Sequence, residues 1–220
     1  MLTMKTPDSL QMTHAHPPAM FLAGAPGLDF VNSRATPTAD AQVDWLDTGD
    51  GLLAWLKQAH LVPDETLDAL RAEAMPGELD RVAEQARDLR AWFRTFVAER
   101  MGRPLSAEDL RALEPLNRLL QRDEGFSQIV APDDEEGIAL ALHTMRRWRS
   151  PESLLLPIGQ EMAKLICSED FSDVKACEGA HCTLLFVDHT RGRKRRWCSM
   201  AICGNRTKAA VHRKRAKGSA

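Results

Sequence analysis

No apolar run in these 220 residues approaches the roughly 18 that a membrane-spanning helix requires, so such a helix is excluded. The first twenty residues, MLTMKTPDSLQMTHAHPPAM, lack the apolar core of a secretory signal, and a cytoplasmic location is expected. Glycine-rich phosphate loops, G-x-S-x-G elbows and H-E-x-x-H pairs are all missing. The acids, serines and histidines outside the cysteine region fall at no catalytic spacing. A non-enzymatic protein is therefore expected. Internal repeats and long low-complexity tracts are absent too.

What the chain does contain is a segregated charge. From residue 175 onward there are 12 Lys and Arg against two acids, Glu178 and Asp188, a balance of +10. The remainder has 29 − 12 = 17 basic and 31 − 2 = 29 acidic residues, a balance of −12, so the overall −2 hides a basic tail on an acidic body. That polarity suits a polyanion bound by the tail and repelled by the body.

Four cysteines lie inside the basic stretch: Cys177, Cys182, Cys198 and Cys203, spaced C-x4-C-x15-C-x4-C. Two thiol pairs on tight loops match a tetrahedral zinc site, in which four thiolates sit about 2.3 Å from the metal. A disulfide framework would need an oxidising compartment. Four thiolates leave no coordination position for an activated water, so the zinc would be structural. His181 and His189 are alternative ligands of the same region, and Cys167, beside Leu165 and Ile166, is expected to be a core thiol. Between the pairs, LLFVDH, TRGR and KRRW suggest a strand, a turn and a returning strand. Helix formers after Cys203 place the last ligand at a helix start, giving a treble-clef-like finger.

Arg191, Arg193, Lys194, Arg195 and Arg196 are expected to ring that hairpin. Arg206, Lys208, Arg213, Lys214, Arg215 and Lys217 follow on the C-terminal helix. At about 100° per residue, Arg206, Arg213 and Lys217 share one face, and Lys208, His212 and Arg215 nearly the opposite one. A helix basic on both faces suits a groove between phosphates. Asn205 and Arg206 have the chemistry to read base edges, or to cap the helix and bind the body. Trp197 is expected in the finger core.

The acidic body reads as mostly helical α+β with a small antiparallel sheet. LDFV (28–31) and QVDWL (42–46) suggest strands, and Asp29 and Asn32 beside them turn caps or backbone partners. GLLAWLKQAHLV and PDETLDALRAEAM suggest helices, the second opened by Pro63 and early acids. Leu79, Val82, Ala86, Leu89, Phe93 and Phe96 recur at steps of three and four, predicting one long helix with an inward stripe. Ser106 and Asp109 resemble a capping box ahead of a helix that Pro115 kinks or delays. A hairpin is expected over 126–131 and 138–143 around the solvated turn PDDEEG, and SPESLLLPIGQEMAKLICSED as a helix leading to the finger. The HxH pair His14 and His16 falls in a disordered leader.

The residues RRWCSM, CGNR, Lys208 and terminal HRKR resemble the CGNR zinc finger, a C-terminal domain of bacterial proteins regarded as stress-induced transcription regulators. GAPGLDFVNS, AWL and ARDLRAWF, in that order, resemble the ABATE domain that precedes it. Residues 1–18, without periodicity, read as a leader outside the resemblance, which implies an ABATE-like α+β domain over 19–170 and a finger over 171–220. It also implies structural Zn²⁺ and DNA as partner. RNA remains an alternative partner, as does an acidic protein surface; a homodimer through the helical body and an unknown small-molecule or protein effector stay open.

Overall fold

The computed structural model describes residues 16–36, 42–131 and 140–218, with the side chains of 211 and 214–218 left out. Residues 1–15 of the expected leader 1–18, with His14, and the acidic turn at 132–139 lie outside the described residues; the leader's last residues are a correction, since His16 meets Asp47 at 2.8 Å and Pro17 O accepts Trp45 Nε1 at 2.6 Å, which holds them to the body.

The body is built on α4 (Glu78–Arg100), whose buried face runs through Val82, Ala83, Ala86, Arg90, Phe93, Phe96 and Val97. The predicted stripe holds at Val82, Ala86, Phe93 and Phe96; Leu79 and Leu89 sit at its half-buried margins. Phe93 and Phe96 stack at 6.0 Å, and Phe96 meets Phe171 edge-on at 6.1 Å. Helix α2 (Gly49–Gln58) packs on α4, with the Thr48 side chain capping its first turn by accepting from Gly51 N. Helix α3 (Asp64–Glu73) follows Pro63 as expected.

The segment expected as the strand LDFV is instead helix α1 (Pro26–Val31). Pro26 presets the first turn, and Ala25 O accepts Leu28 N and Asp29 N at 3.0 and 3.1 Å. Gly27 through Val31 are all buried, so no face alternates and six residues carry no readable period. α1 lies against α6 (Leu155–Ser168), where a Cβ on Gly27 would fall 2.6 Å from Glu161 O. The expected strand 42–46 is likewise shorter: only β2 (Val43–Asp44) pairs with β1 (Arg34–Ala35), after which Trp45 and Leu46 enter the core.

Arg90 is a buried cation that periodicity did not flag. Its guanidinium grips Asp44 through two bonds of 2.6 and 2.7 Å and reaches Ser33 Oγ at 2.9 Å. Burial alone would raise the Asp44 pKa, but the Arg90 hydrogen bonds and charge outweigh it and hold the carboxyl below its ordinary range.

Asp109 accepts Ser106 N at 3.0 Å, the carboxylate half of the expected cap, above a 3-10 turn (Ala107–Leu113). Pro115 then sits in the first turn of α5 (Glu114–Leu120): a late start, not a kink. The predicted hairpin forms as β3 (Gly125–Val130) with β4 (Ala141–Arg146), the second strand about three residues later than expected. Ile129 and Leu142 face each other across it, 67% and 71% exposed. Cys167 is a correction: α6 buries Leu155, Ile158, Met162 and Leu165, and Cys167, two residues or about 200° past Leu165, points outward.

Asp29 is the other buried acid of the body. It accepts Leu22 N and Ala23 N, both at 2.9 Å, while burial pushes its pKa up from 3.8 to about 6. A carboxyl whose folded pKa is raised holds its proton better in the native state, so stability falls as pH rises from about 4 to about 6 and is then level. Asp29→Asn should remove that component. Relative to Asp29→Asn, the parent should lose up to about 3 kcal/mol between pH 4 and 6.5 in urea unfolding; parallel curves would refute it.

Candidate metal centre and its basic surround

The metal loops hang from a two-stranded ribbon that the sequence placed differently. β6 (Leu185–Val187) pairs back with β5 (Val174–Ala176), which precedes the first cysteine pair, and not with the KRRW segment. The ladder continues into the site through Cys177 N–Leu184 O at 2.9 Å. The knuckle Cys177–Cys182 closes with Cys182 N on Gly179 O at 3.0 Å and His181 in the left-handed region at φ 66°. A Cβ at Gly179 would fall 2.9 Å from Cys203 Sγ and 3.4 Å from Cys177 Sγ, so only glycine leaves the sulfurs room.

The second arm is organised by Asp188, fully buried at the end of β6. Its carboxylate accepts Lys175 Nζ at 2.7 Å, Thr190 N at 3.0 Å, Thr190 Oγ1 at 2.6 Å and Arg195 N at 2.9 Å. Burial alone would push its pKa up, yet these donors together hold it well below the usual range. They fold 188–195 into a loop in place of the expected return strand. Glu178 N on Arg196 O at 2.9 Å then brings the second cysteine pair against the first. Cys203 lies in a π-helical turn (Met200–Gly204) that runs directly into α7 (Asn205–Gly218), the helix start expected for the last ligand.

All four sulfurs lie within 4.8 Å of one another, with Cys182–Cys198 at 3.8 Å and Cys198–Cys203 at 3.6 Å. A tetrahedral zinc with bonds of about 2.3 Å holds its sulfurs about 3.8 Å apart, so the donor set fits the ion. The electrostatics agree. The Cys182 thiol, hydrogen-bonded by Cys198, is held down at about 5. Burial and the neighbouring sulfurs push Cys203 up to about 12, and the bond to Cys182 together with burial pushes Cys198 higher still. Four thiolates at this distance repel one another, and a dication is what lets them ionise together. Gly179 N and Cys198 N also point at Cys177 Sγ, at 3.4 and 3.2 Å. His181 and His189 stay outside the cluster, and His189 pairs with Glu169 at 2.8 Å.

Residues 24–169 match the family described as "Putative stress-induced transcription regulator" (ABATE), and residues 174–216 match the CGNR zinc finger. The chain belongs to the ABATE family. No curated protein matches it. Structural zinc in the CGNR finger follows from that match and from the four clustered sulfurs.

The cations of the CGNR finger divide in two. Arg195, expected on the nucleic-acid surface, is turned inward: it donates to Trp197 O and Leu22 O, both at 3.0 Å, and to Cys198 O, with its guanidinium 4.2 Å over the Phe186 ring. With Val187 O at 3.4 Å as well, these partly buried carbonyls converge on its planar fork from several directions and outcompete solvent for it. Arg193 bonds Asp188 O and pairs with Asp173 at 3.1 Å. Arg196 pairs with Glu178 at 2.6 Å and lies over Trp197, which packs against the core as expected. Arg191, Lys194, Asn205, Lys208, His212 and Arg213 are exposed, and Arg206 is half-buried. The side chains of Lys214, Arg215 and Lys217 lie outside the described residues. No helix among the described residues is long and apolar enough to cross a membrane.

Proposed function

We propose that this protein is a DNA-binding transcription regulator: the zinc finger holds α7 and the Arg191–Lys194 loop against the duplex, and the acidic ABATE domain receives an effector. The observation that carries this reading is the closed four-sulfur cluster set beside exposed Arg191, Lys194, Lys208 and Arg213. Four sulfurs occupy every position of a tetrahedral zinc, which supports a structural and non-enzymatic role. Thiolate ligation requires reduced cysteines, which favours the cytoplasm. A cleft of about 740 Å³ in the ABATE domain, lined by His16, Trp45, Asp47, Asp50, Trp55 and Arg71 among others, is the natural effector position.

The test is selection of the zinc-loaded full-length protein on a random duplex pool at two salt concentrations. An enriched motif supports the reading. Motif-free binding with equal or tighter affinity for structured RNA would replace DNA by RNA, and absence of salt-sensitive binding would leave a protein adaptor. Four exposed cations engaging phosphates predict a slope of log K against log salt of about −3 to −4. Arg213→Ala should weaken binding on all sequences alike and reduce the slope by about 1, whereas Arg206→Ala should relax sequence preference. Identical effects of the two would remove the base-reading role of Arg206.

A further inference from the structure

The cleft and the metal centre are joined by one short piece of chain, residues 16–23. At the cleft end His16 Nε2 meets Asp47 at 2.8 Å, Pro17 O accepts Trp45 Nε1 at 2.6 Å, and Ala19 N donates to Gln58 Oε1 at 2.9 Å. At the metal end the backbone of Leu22 and Ala23 is held from two sides. Both N–H groups donate to Asp29 of the ABATE domain, while Leu22 O takes the Arg195 guanidinium and Ala23 O takes Val187 N at 2.8 Å, both from the finger. Arg195 in turn grips Trp197 O and Cys198 O, the backbone of a zinc ligand and its neighbour.

We infer that residues 16–23 form a strap coupling metal occupancy of the finger to the effector cleft, with Arg195 as the positioning residue at its metal end. The inference rests on the zinc reading of the four cysteines. When the loop carrying Cys198 loses its metal, the two carbonyls that orient Arg195 move, and Leu22 O loses its donor. The strap then opens toward the cleft wall it helps to build. Linkage makes the effect reciprocal, so loosening the strap at the cleft end weakens zinc retention.

Hydrogen exchange on the full-length chain, zinc-loaded and after chelation, reads the first direction. Peptides covering Leu22 and Ala23 should exchange about fivefold faster or more without zinc, while the α4 interior at Val82–Val97 stays protected. Arg195→Ala should produce the same strap exchange with zinc still bound, and Arg195→Lys should restore part of the protection. Gln58→Ala reads the reverse direction: it removes the Ala19 anchor and a bond to Ala54 O within its own helix, touches none of the four cysteines, and should speed zinc release to a chromogenic chelator severalfold. A strap equally protected with and without zinc, or unchanged zinc release in Gln58→Ala, overturns the coupling. Failure of the chain to hold stoichiometric zinc would instead defeat the metal reading itself, so the two failures are distinguishable.

Discussion

A Cys182→Ser variant should emerge from chelator challenge with essentially no zinc, and with its nucleic-acid affinity gone. Cys182 is the ligand on which the effect is cleanest, because it is half-exposed and packs little of the core. Serine replaces a sulfur that ionises readily, at about 5, with a hydroxyl that does not. Structural zinc supplies on the order of 10 kcal/mol or more of folding free energy in small metal domains, shared among its ligands. Loss of one thiolate therefore removes more than the ribbon β5–β6 can replace from hydrogen bonds. The Cys198–Cys203 arm and the π turn feeding α7 would then lose their anchor, and the exposed cations their common frame. Metal content by mass spectrometry and duplex binding by anisotropy should fall together. Tight, sequence-selective binding by the zinc-free variant would show that the finger is not the reader.

The second large effect is expected far from the cysteines, at Asn32. Its side-chain amide donates to Leu185 O at 2.8 Å and accepts Leu185 N at 2.9 Å, both buried. In this way a side chain on the loop after α1 completes the edge of β6 as a neighbouring strand would. Asn32→Ala leaves a buried donor and a buried acceptor without partners, each worth about 1–3 kcal/mol, so the stability read from urea unfolding should fall by about 2–6 kcal/mol with an unchanged slope. Asn32→Asp should fare nearly as badly, since its carboxylate serves Leu185 N but opposes Leu185 O. A loss below about 1 kcal/mol in both would mean that water takes over the two groups.

Much of the body was legible: α4 announces itself through apolar residues at steps of three and four, and α3 through Pro63 and its early acids. α1 was not, since a short run buried at five of its six residues reads equally well as strand. The metal ligands were legible from their paired spacing together with the strand, turn and helix start read around them. Their scaffold was not: β6 chooses β5, across the knuckle, because Asp188 at its end collects four donors and turns the chain into a loop. The one available signal was the pairing of Asp188 with Thr190, an acid ending an apolar run two residues before a hydroxyl. Arg195 was misplaced for a different reason. In a run of four cations, charge cannot say which one finds four backbone carbonyls, and only the fold separates it from exposed Lys194.

The two family matches meet between residues 169 and 174, which invites treating the finger as a movable part. The contacts of Asn32, Ala23 and Leu22 say otherwise. A chimera carrying 174–216 onto a foreign domain would arrive with Leu185 N and O and Val187 N stripped of their partners, and with the Arg195 fork short of Leu22 O. The transplantable unit is discontinuous. It takes in Leu22–Asn32 from the start of the chain as well, so a boundary drawn along the sequence runs through these contacts.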